Sequence, residues 1–385
     1  MILEELGLER AINATGNITV LGGTILDDEV LEAMKEAGKI YVNVPEAQVR
    51  AGALIASFVD AEAAYITSGC AAALALSAAA CITKGNLEMM LKLPRTDGIA
   101  NEVIIQKLHR TCYDYNLEIA GARLKVIGND DRTLPHELED AIDQNTAAVV
   151  YFAFDPQEGV VPLDEVLEIS HKRGIPVIVD AAGELPPKEN LNRFLKMGSD
   201  LVLFSAGKDL GAPNDTGIIL GRKDLVDICR RLGPHSYEVV NSETKVFLGR
   251  PMKVSKEDIF AVVAAVRRYL RTDHEQRIRN WKKVADYMVA GLSDCRKIKV
   301  RAVAPDSSLL LTSLAMHPRP SIVPRVEVDF LDEDRQAEQT VNELKNGSPP
   351  IYAYARNKKL YISPQCLQEG EEKIIVARLR AIIRD

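Results

Sequence analysis

Residues 177–217 read VIVDAAGELPPKENLNRFLKMGSDLVLFSAGKDLGAPNDTG, and this stretch decides the fold. Two short apolar runs each end at a chemically loaded residue. Val177-Ile178-Val179 ends at Asp180, and Leu201-Val202-Leu203-Phe204 ends at Ser205-Ala206-Gly207-Lys208. Between them Leu191, Phe194, Leu195 and Met197 lie near helical spacing, and Gly198 supplies a stop. Strand, helix, strand is the crossover unit of a parallel sheet, which binds ligands beyond the carboxyl ends of its strands. Asp180 and Lys208 both fall at such ends.

Taken singly, the lysine reads as a surface residue in a glycine-rich turn and the aspartate as a helix cap. As a pair on neighbouring strand ends they match the needs of pyridoxal phosphate. Its aldehyde requires an amine, and its ring nitrogen requires an anion to stay protonated. Lysine suits the first task because burial readily makes its neutral amine accessible. Ala206 and Gly207 leave room for a ring to approach the backbone.

The stretch resembles the lysine region of the fold-type I pyridoxal-phosphate enzymes, in the branch containing bacterial selenocysteine synthase and D-glucosaminate-6-phosphate ammonia-lyase. Members carry a strand ending in Asp, a strand ending in Ser-Gly-x-Lys, and then Gly-Pro; here these are VIVDAAGELPP, FSAGK and GAP. The likeness extends over most of the chain. It implies an α/β fold with a mainly parallel, mixed seven-stranded sheet covered by helices, plus a smaller α+β domain. The expected division is an N-terminal segment over 1–40 packing with the small domain and active site, a large cofactor domain over 41–255, and a small domain over 256–385. The resemblance gives Lys208 the Schiff base and Asp180 the pyridinium nitrogen, and it adds Ala182 to the cofactor's contacts.

Upstream, Ala63 to Ile66 reads as a strand, followed by Thr67-Ser68-Gly69-Cys70 and an alanine-rich helix ending near Gly85. A small polar turn opening a helix is either a plain cap at Ser68 or an anion site. With the cofactor assigned, its phosphate is the occupant, bound by Ser68, Gly69 and Ser205, and Cys70 of the same turn is a further cofactor-binding residue. His109 lies just beyond a strand at 103–106, within His109-Arg110-Thr111-Cys112-Tyr113-Asp114, which is similar to a family sequence. The resemblance makes it the ring that stacks on the cofactor; a neutral core histidine is the plainer alternative.

Further strands are expected at 125–127 and 148–154, the latter followed by Asp155 as a pocket or turn residue. Amphipathic helices are expected at 135–144 and 163–174, and the whole pattern supports a doubly covered sheet. Arg250 and Lys253 match a family Arg-x-x-(Arg/Lys)-Val pattern that approaches cofactor or substrate, often in the neighbouring subunit; a solvated basic turn is the alternative. Residues 258–292 read as helical. Their basic stretch is interrupted by Asp273 and Glu275, so a solvated face is favoured over RNA binding. Runs at 297–303, 308–312, 325–330, 351–355 and 359–362, with a helix at about 370–384, make the smaller domain. Arg356 is either a substrate-carboxylate ligand or a surface arginine.

Near the N-terminus, selenocysteine synthases carry His-Thr-Asn-Leu-Gly-Arg where this chain has Ile18-Thr19-Val20-Leu21-Gly22-Gly23. Relatives place this segment over the active site, which makes Thr19 a substrate candidate. The missing histidine and arginine favour the ammonia-lyase side. Lys plus Arg number 48 against 55 Asp plus Glu, a net charge of −7, which argues against a nucleic-acid partner. The six cysteines are scattered without a CxxC pair, so no metal is expected and a cytoplasmic setting fits. The acidic N-terminus lacks a signal-peptide pattern, and no apolar run approaches the roughly 18 residues of a membrane span.

The expected activity is α,β-elimination and deamination of a hydroxylated or phosphorylated amino acid by a homodimer or larger assembly of dimers. One rival is β-replacement on seryl-tRNA, against which the charge balance, the altered N-terminal motif and the lack of an extra tRNA-binding region weigh. The other is a cofactor-binding protein without catalysis.

Overall fold

The structure is a computed structural model describing residues 2–153, 158–303, 322–331 and 336–383. Asp155 and the run at 308–312 lie outside the described residues. The chain forms two compact units. One comprises 26–272; the other gathers 2–25 with the described residues from 273 to 383.

The larger unit is built on seven strands: β1 (Ala63–Thr67), β2 (Glu102–Gln106), β3 (Arg123–Ile127), β4 (Thr146–Phe152), β5 (Val177–Asp180), β6 (Leu201–Ser205) and β7 (Gly217–Gly221). Their order is β1-β7-β6-β5-β4-β2-β3, and only β7 runs against its neighbours. Alternate residues face opposite sides. Ile104, Val149, Val177, Val179, Val202 and Phe204 enter one core, whereas Val103, Ile105, Val150, Ile178, Leu201 and Leu203 enter the other. With both faces covered, strands read as continuous apolar runs rather than alternating ones. Each such side chain contributes about 1.5–3 kcal/mol on burial.

The Gly69–Thr83 helix closes one face with Ala73, Ala75, Ala78, Ala79 and Ala80 fully buried, so small side chains let it lie close to the sheet. At the amino edge, Asp200 ties the crossover together. Its carboxylate accepts from the Val177 amide at 2.8 Å and Arg222 at 2.7 Å, and meets His171 Nε2 at 2.9 Å.

The division differs from the expected 40/41 and 255/256 boundaries. Asp27 caps the Asp28–Gly38 helix by accepting from the Glu29 amide at 3.1 Å, and that helix packs on the Lys256–Arg271 helix. Arg268 pairs with Asp27 at 2.8 Å and Arg271 with Glu29 at 2.6 Å. Residues 26–40 and 256–272 therefore belong with the sheet. The expected helix over 258–292 is two helices, because Asp273 leaves helical geometry and caps the second through the Gln276 amide.

In the smaller unit, an antiparallel sheet joins Ile298–Val303, Arg325–Phe330, Lys359–Ile362 and Tyr354–Arg356 in that order. The N-terminal pair Ile12–Asn13 runs parallel to Ile351–Tyr352, which stitches the first residues to this unit. Among the described residues, no helix is long and apolar enough to cross a membrane.

Candidate active site

Because β1, β2, β5 and β6 run parallel in space, their carboxyl ends share one edge of the sheet. Thr67, Gln106, Asp180 and Ser205 close those strands. The four segments singled out in the sequence thus start from one edge: Ser68-Gly69-Cys70, His109, Asp180 to Ala182, and Ser205 to Lys208.

Asp180 is buried at 8% exposure. Its Oδ1 accepts from the Ala182 amide at 2.9 Å and from the Cys70 thiol at 3.8 Å. Burial raises its pKa; the Ala182 bond, the charge of Lys208 and the Cys70 thiol oppose that rise. Lys208 is half-buried and near enough to act electrostatically on both Asp180 and Cys70. Ala206 is fully buried, and a Cβ on Gly207 would lie 2.5 Å from Asn214 Cα, so only glycine fits beside that loop.

The Gly69–Thr83 helix starts at the end of β1, with Gly69 at φ +79°. Ser68 occupies the cap position, yet its hydroxyl makes no capping bond, so its plain reading as a cap does not hold. Backbone amides and a free small-residue turn at a 15-residue helix suit a phosphate. Donor set and cradle together fit pyridoxal phosphate.

His109 ends a short 3-10 turn after β2 and is fully buried, edge-on to Tyr151 with ring centroids 4.5 Å apart. From the same motif Tyr113, unassigned in the sequence, sits close enough to Asp180 to feel its charge. Its phenol pKa is raised first by burial, then by Cys112 and by Asp180. The motif was visible; the direction of its tyrosine was not.

Arg250 and Lys253 line an open cleft of about 390 Å³ in the larger unit, with His235, Tyr237, Thr244 and Val246. The hairpin Tyr237–Val240 with Glu243–Val246, which the sequence reading missed, forms one wall. Burial lowers the His235 pKa, a bond to the Val254 backbone raises it, and the Arg250 and Lys253 charges lower it further. Thr19, in an exposed 3-10 turn, and Arg356, at the end of its strand, both belong to the smaller unit.

The aminotransferase class-V family profile matches residues 27–333. The chain belongs to that family. As a class-V member it is a fold-type I enzyme, and pyridoxal 5′-phosphate is its cofactor. Over 100% of its length it is 31% identical to a Streptomyces 5′-C-glycyluridine monooxygenase-decarboxylase, covering 92% of that protein. It is 28% identical to the D-glucosaminate-6-phosphate ammonia lyase of Salmonella typhimurium, over 99% of this chain and 97% of the relative. A solved D-glucosaminate-6-phosphate ammonia-lyase structure superposes with a TM-score of 0.82 at 27% identity, covering 100% of this chain and 98% of the other. An L-seryl-tRNA(Sec) selenium transferase of Hyphomonas neptunium is 26% identical over 97% of this chain and 82% of its own.

Proposed function

We propose that this class-V enzyme is a lyase that deaminates a hydroxylated or phosphorylated amino acid by α,β-elimination. The observation that carries the reading is the end-to-end similarity to D-glucosaminate-6-phosphate ammonia lyase in both sequence and fold. Bound pyridoxal phosphate supplies the electron sink for charge developing at the substrate's α-carbon.

The chain's own residues do the rest. Lys208 would hold the cofactor at its carbonyl, and its amine is the base placed to take the proton from the substrate's α-carbon. Asp180 holds the ring nitrogen's proton through a carboxylate oriented by the Ala182 amide. Ser68, Gly69 and Ser205 would hold the cofactor's phosphate at the helix start, with Cys70 beside them, and His109 would pack against its ring. In net terms the α-hydrogen and β-hydroxyl leave as water, one water is taken back, and a 2-oxo acid and ammonia result.

Arg250 and Lys253 hold an anionic substrate or cofactor group of a partner subunit's site, within a two-fold dimer. Thr19 and Arg356 serve the substrate. The enzyme works in the cytosol, where its six cysteines, none of them in a disulfide, stay reduced.

The test is a screen of purified, cofactor-loaded protein with sugar-derived and hydroxy amino acids. Ammonia and 2-oxo acid released in equal amounts support elimination. Carbon dioxide release with oxygen uptake on a glycyl-nucleoside would instead favour the decarboxylase reading that the 31% identity supports. Selenium incorporation on seryl-tRNA would transfer the chain to the third reading.

A further inference from the structure

Asp180 is gripped at one oxygen only. The Cys70 thiol comes from 110 residues before Asp180 and the Ala182 amide from two residues after it, yet among the described residues both use Oδ1 and neither uses Oδ2. The thiol sits in the first turn of the helix that begins at Gly69 and turns in towards the carboxylate. In the sequence Cys70 belongs to the phosphate turn; in the structure its backbone and its side chain face two different tasks.

The second task has a physical purpose. An aspartate can keep a ring nitrogen protonated only as an anion, and burial works against that state. Hydrogen bonds to the carboxylate work for it. Burial and the adjacent Asp180 both hold the Cys70 thiol in its protonated form, with Lys208 opposing. A protonated thiol is a donor, whereas a thiolate in the same place would repel the carboxylate. The charged or titratable groups acting on Asp180 are thus Lys208, Cys70 and Tyr113, and Cys70 alone among them touches Oδ1.

We infer that Cys70 is a positioning residue for Asp180: its S–H fixes Oδ1, leaving Oδ2 for the cofactor's ring nitrogen. The inference rests on the role proposed above for Asp180; the Cys70–Asp180 contact itself does not. A thiol donates weakly, so the effect is modest and graded by donor chemistry rather than by size.

The test compares Cys70→Ser, which keeps a donor, with Cys70→Ala and Cys70→Val, which remove it. In the apoprotein, the Asp180 carboxyl is titrated by infrared difference against Asp180→Asn. Its midpoint rises in the Ala and Val variants and returns in the Ser variant. In the same proteins the dissociation constant for pyridoxal phosphate, read by absorbance, rises about fivefold for Ala and Val and less than about twofold for Ser. An unchanged midpoint and affinity in Cys70→Val would overturn the inference. So would a Ser variant as impaired as Val, because packing would then explain both. Should Cys70→Val not fold, the Ala and Ser pair carries the same comparison. Wild-type protein that takes up no pyridoxal phosphate would remove the cofactor role, while the apoprotein titration would still decide the contact.

Discussion

Gly217→Ala probes the cofactor turn without touching a reactive group. Gly217 opens β7, aligned with Thr67 on one side and Ser205 on the other. A Cβ there would sit 2.6 Å from the Gly69 carbonyl carbon, 2.8 Å from the Cys70 amide nitrogen and 2.8 Å from the Gly69 oxygen. Non-bonded carbons prefer about 3.5–4.0 Å, so the shortfall is about 1 Å. The atoms met are backbone, and no side chain can swing aside. Overpacking costs about 1–3 kcal/mol, and three backbone contacts put this case near ~3 kcal/mol, about a hundredfold in the folding equilibrium. Relief requires moving Ser68-Gly69-Cys70, so affinity for pyridoxal phosphate falls with stability. Gly38→Ala is the control: its nearest atom is Glu257 Oε1 at 3.9 Å, and alanine at a helical position is neutral or stabilising by up to about 1 kcal/mol. Denaturant unfolding of the apoprotein and a cofactor titration read both effects. A Gly217→Ala protein as stable as the control, with unchanged cofactor affinity, would refute the packing argument.

Lys208→Ala abolishes the absorbance near ~420 nm expected of a lysine-bound cofactor; a borohydride-trapped adduct on another lysine would move the assignment. Asp180→Asn cripples turnover yet stabilises the apoprotein at neutral pH. Burial raises the folded-state pKa, so the stability tied to this carboxyl is full below its unfolded pKa and lost as pH rises through the raised value. Parallel melting curves against pH for the two proteins would contradict this. Asp200→Ala costs about 2 kcal/mol, mainly through the buried Val177 amide it leaves unbonded, with cofactor affinity unchanged because it acts at the opposite sheet edge. Mixing Lys208→Ala with Arg250→Ala subunits restores some activity, since one of two shared sites then has both native residues. No recovery in verified heterodimers would return Arg250 to a solvated role.

The sheet was legible because six of its seven strands are buried on both faces, the edge strand Arg123–Ile127 being the exception. Val177 to Asp180, Leu201 to Phe204 and Val103 to Gln106 needed no alternation to be seen, and short connections ordered them. Less legible were places where tertiary partners outweigh local pattern. The hairpin Tyr237–Val240 with Glu243–Val246 is largely exposed, and its apolar residues Tyr237, Val239 and Val246 lie on an open face rather than in a core. The break at Asp273 lies between two helix-forming stretches, and a single aspartate able to cap also occurs in ordinary helices. The unit boundary after Ile25 follows from the Asp28–Gly38 helix packing on the Lys256–Arg271 helix more than 200 residues on, with Asp27 and Glu29 paired to Arg268 and Arg271 at its edge.

The site shows the same limit at the scale of atoms. Residue type and strand position identify Lys208 and Asp180 because few chemistries require an amine and an acid at neighbouring strand ends. Position alone assigns Cys70 to the phosphate turn, since it follows Ser68 and Gly69 at a helix start. Where its side chain goes is decided by the sheet order, which brings the ends of β1 and β5 to one edge with β7 and β6 between them. No local spacing encodes that. A helix start can therefore present its amides to one ligand group and its first-turn side chain to an acid reserved for another. The two respond differently to substitution: Gly217→Ala displaces the whole turn, amides and thiol together, whereas Cys70→Val takes away the thiol donor and leaves the turn's amides. Both substitutions are then expected to raise the Asp180 midpoint, while Gly217→Ala weakens the cofactor more than Cys70→Val, because it moves the amides of the turn as well as its thiol. An Asp180 midpoint unmoved in Gly217→Ala would show that the turn had stayed in place.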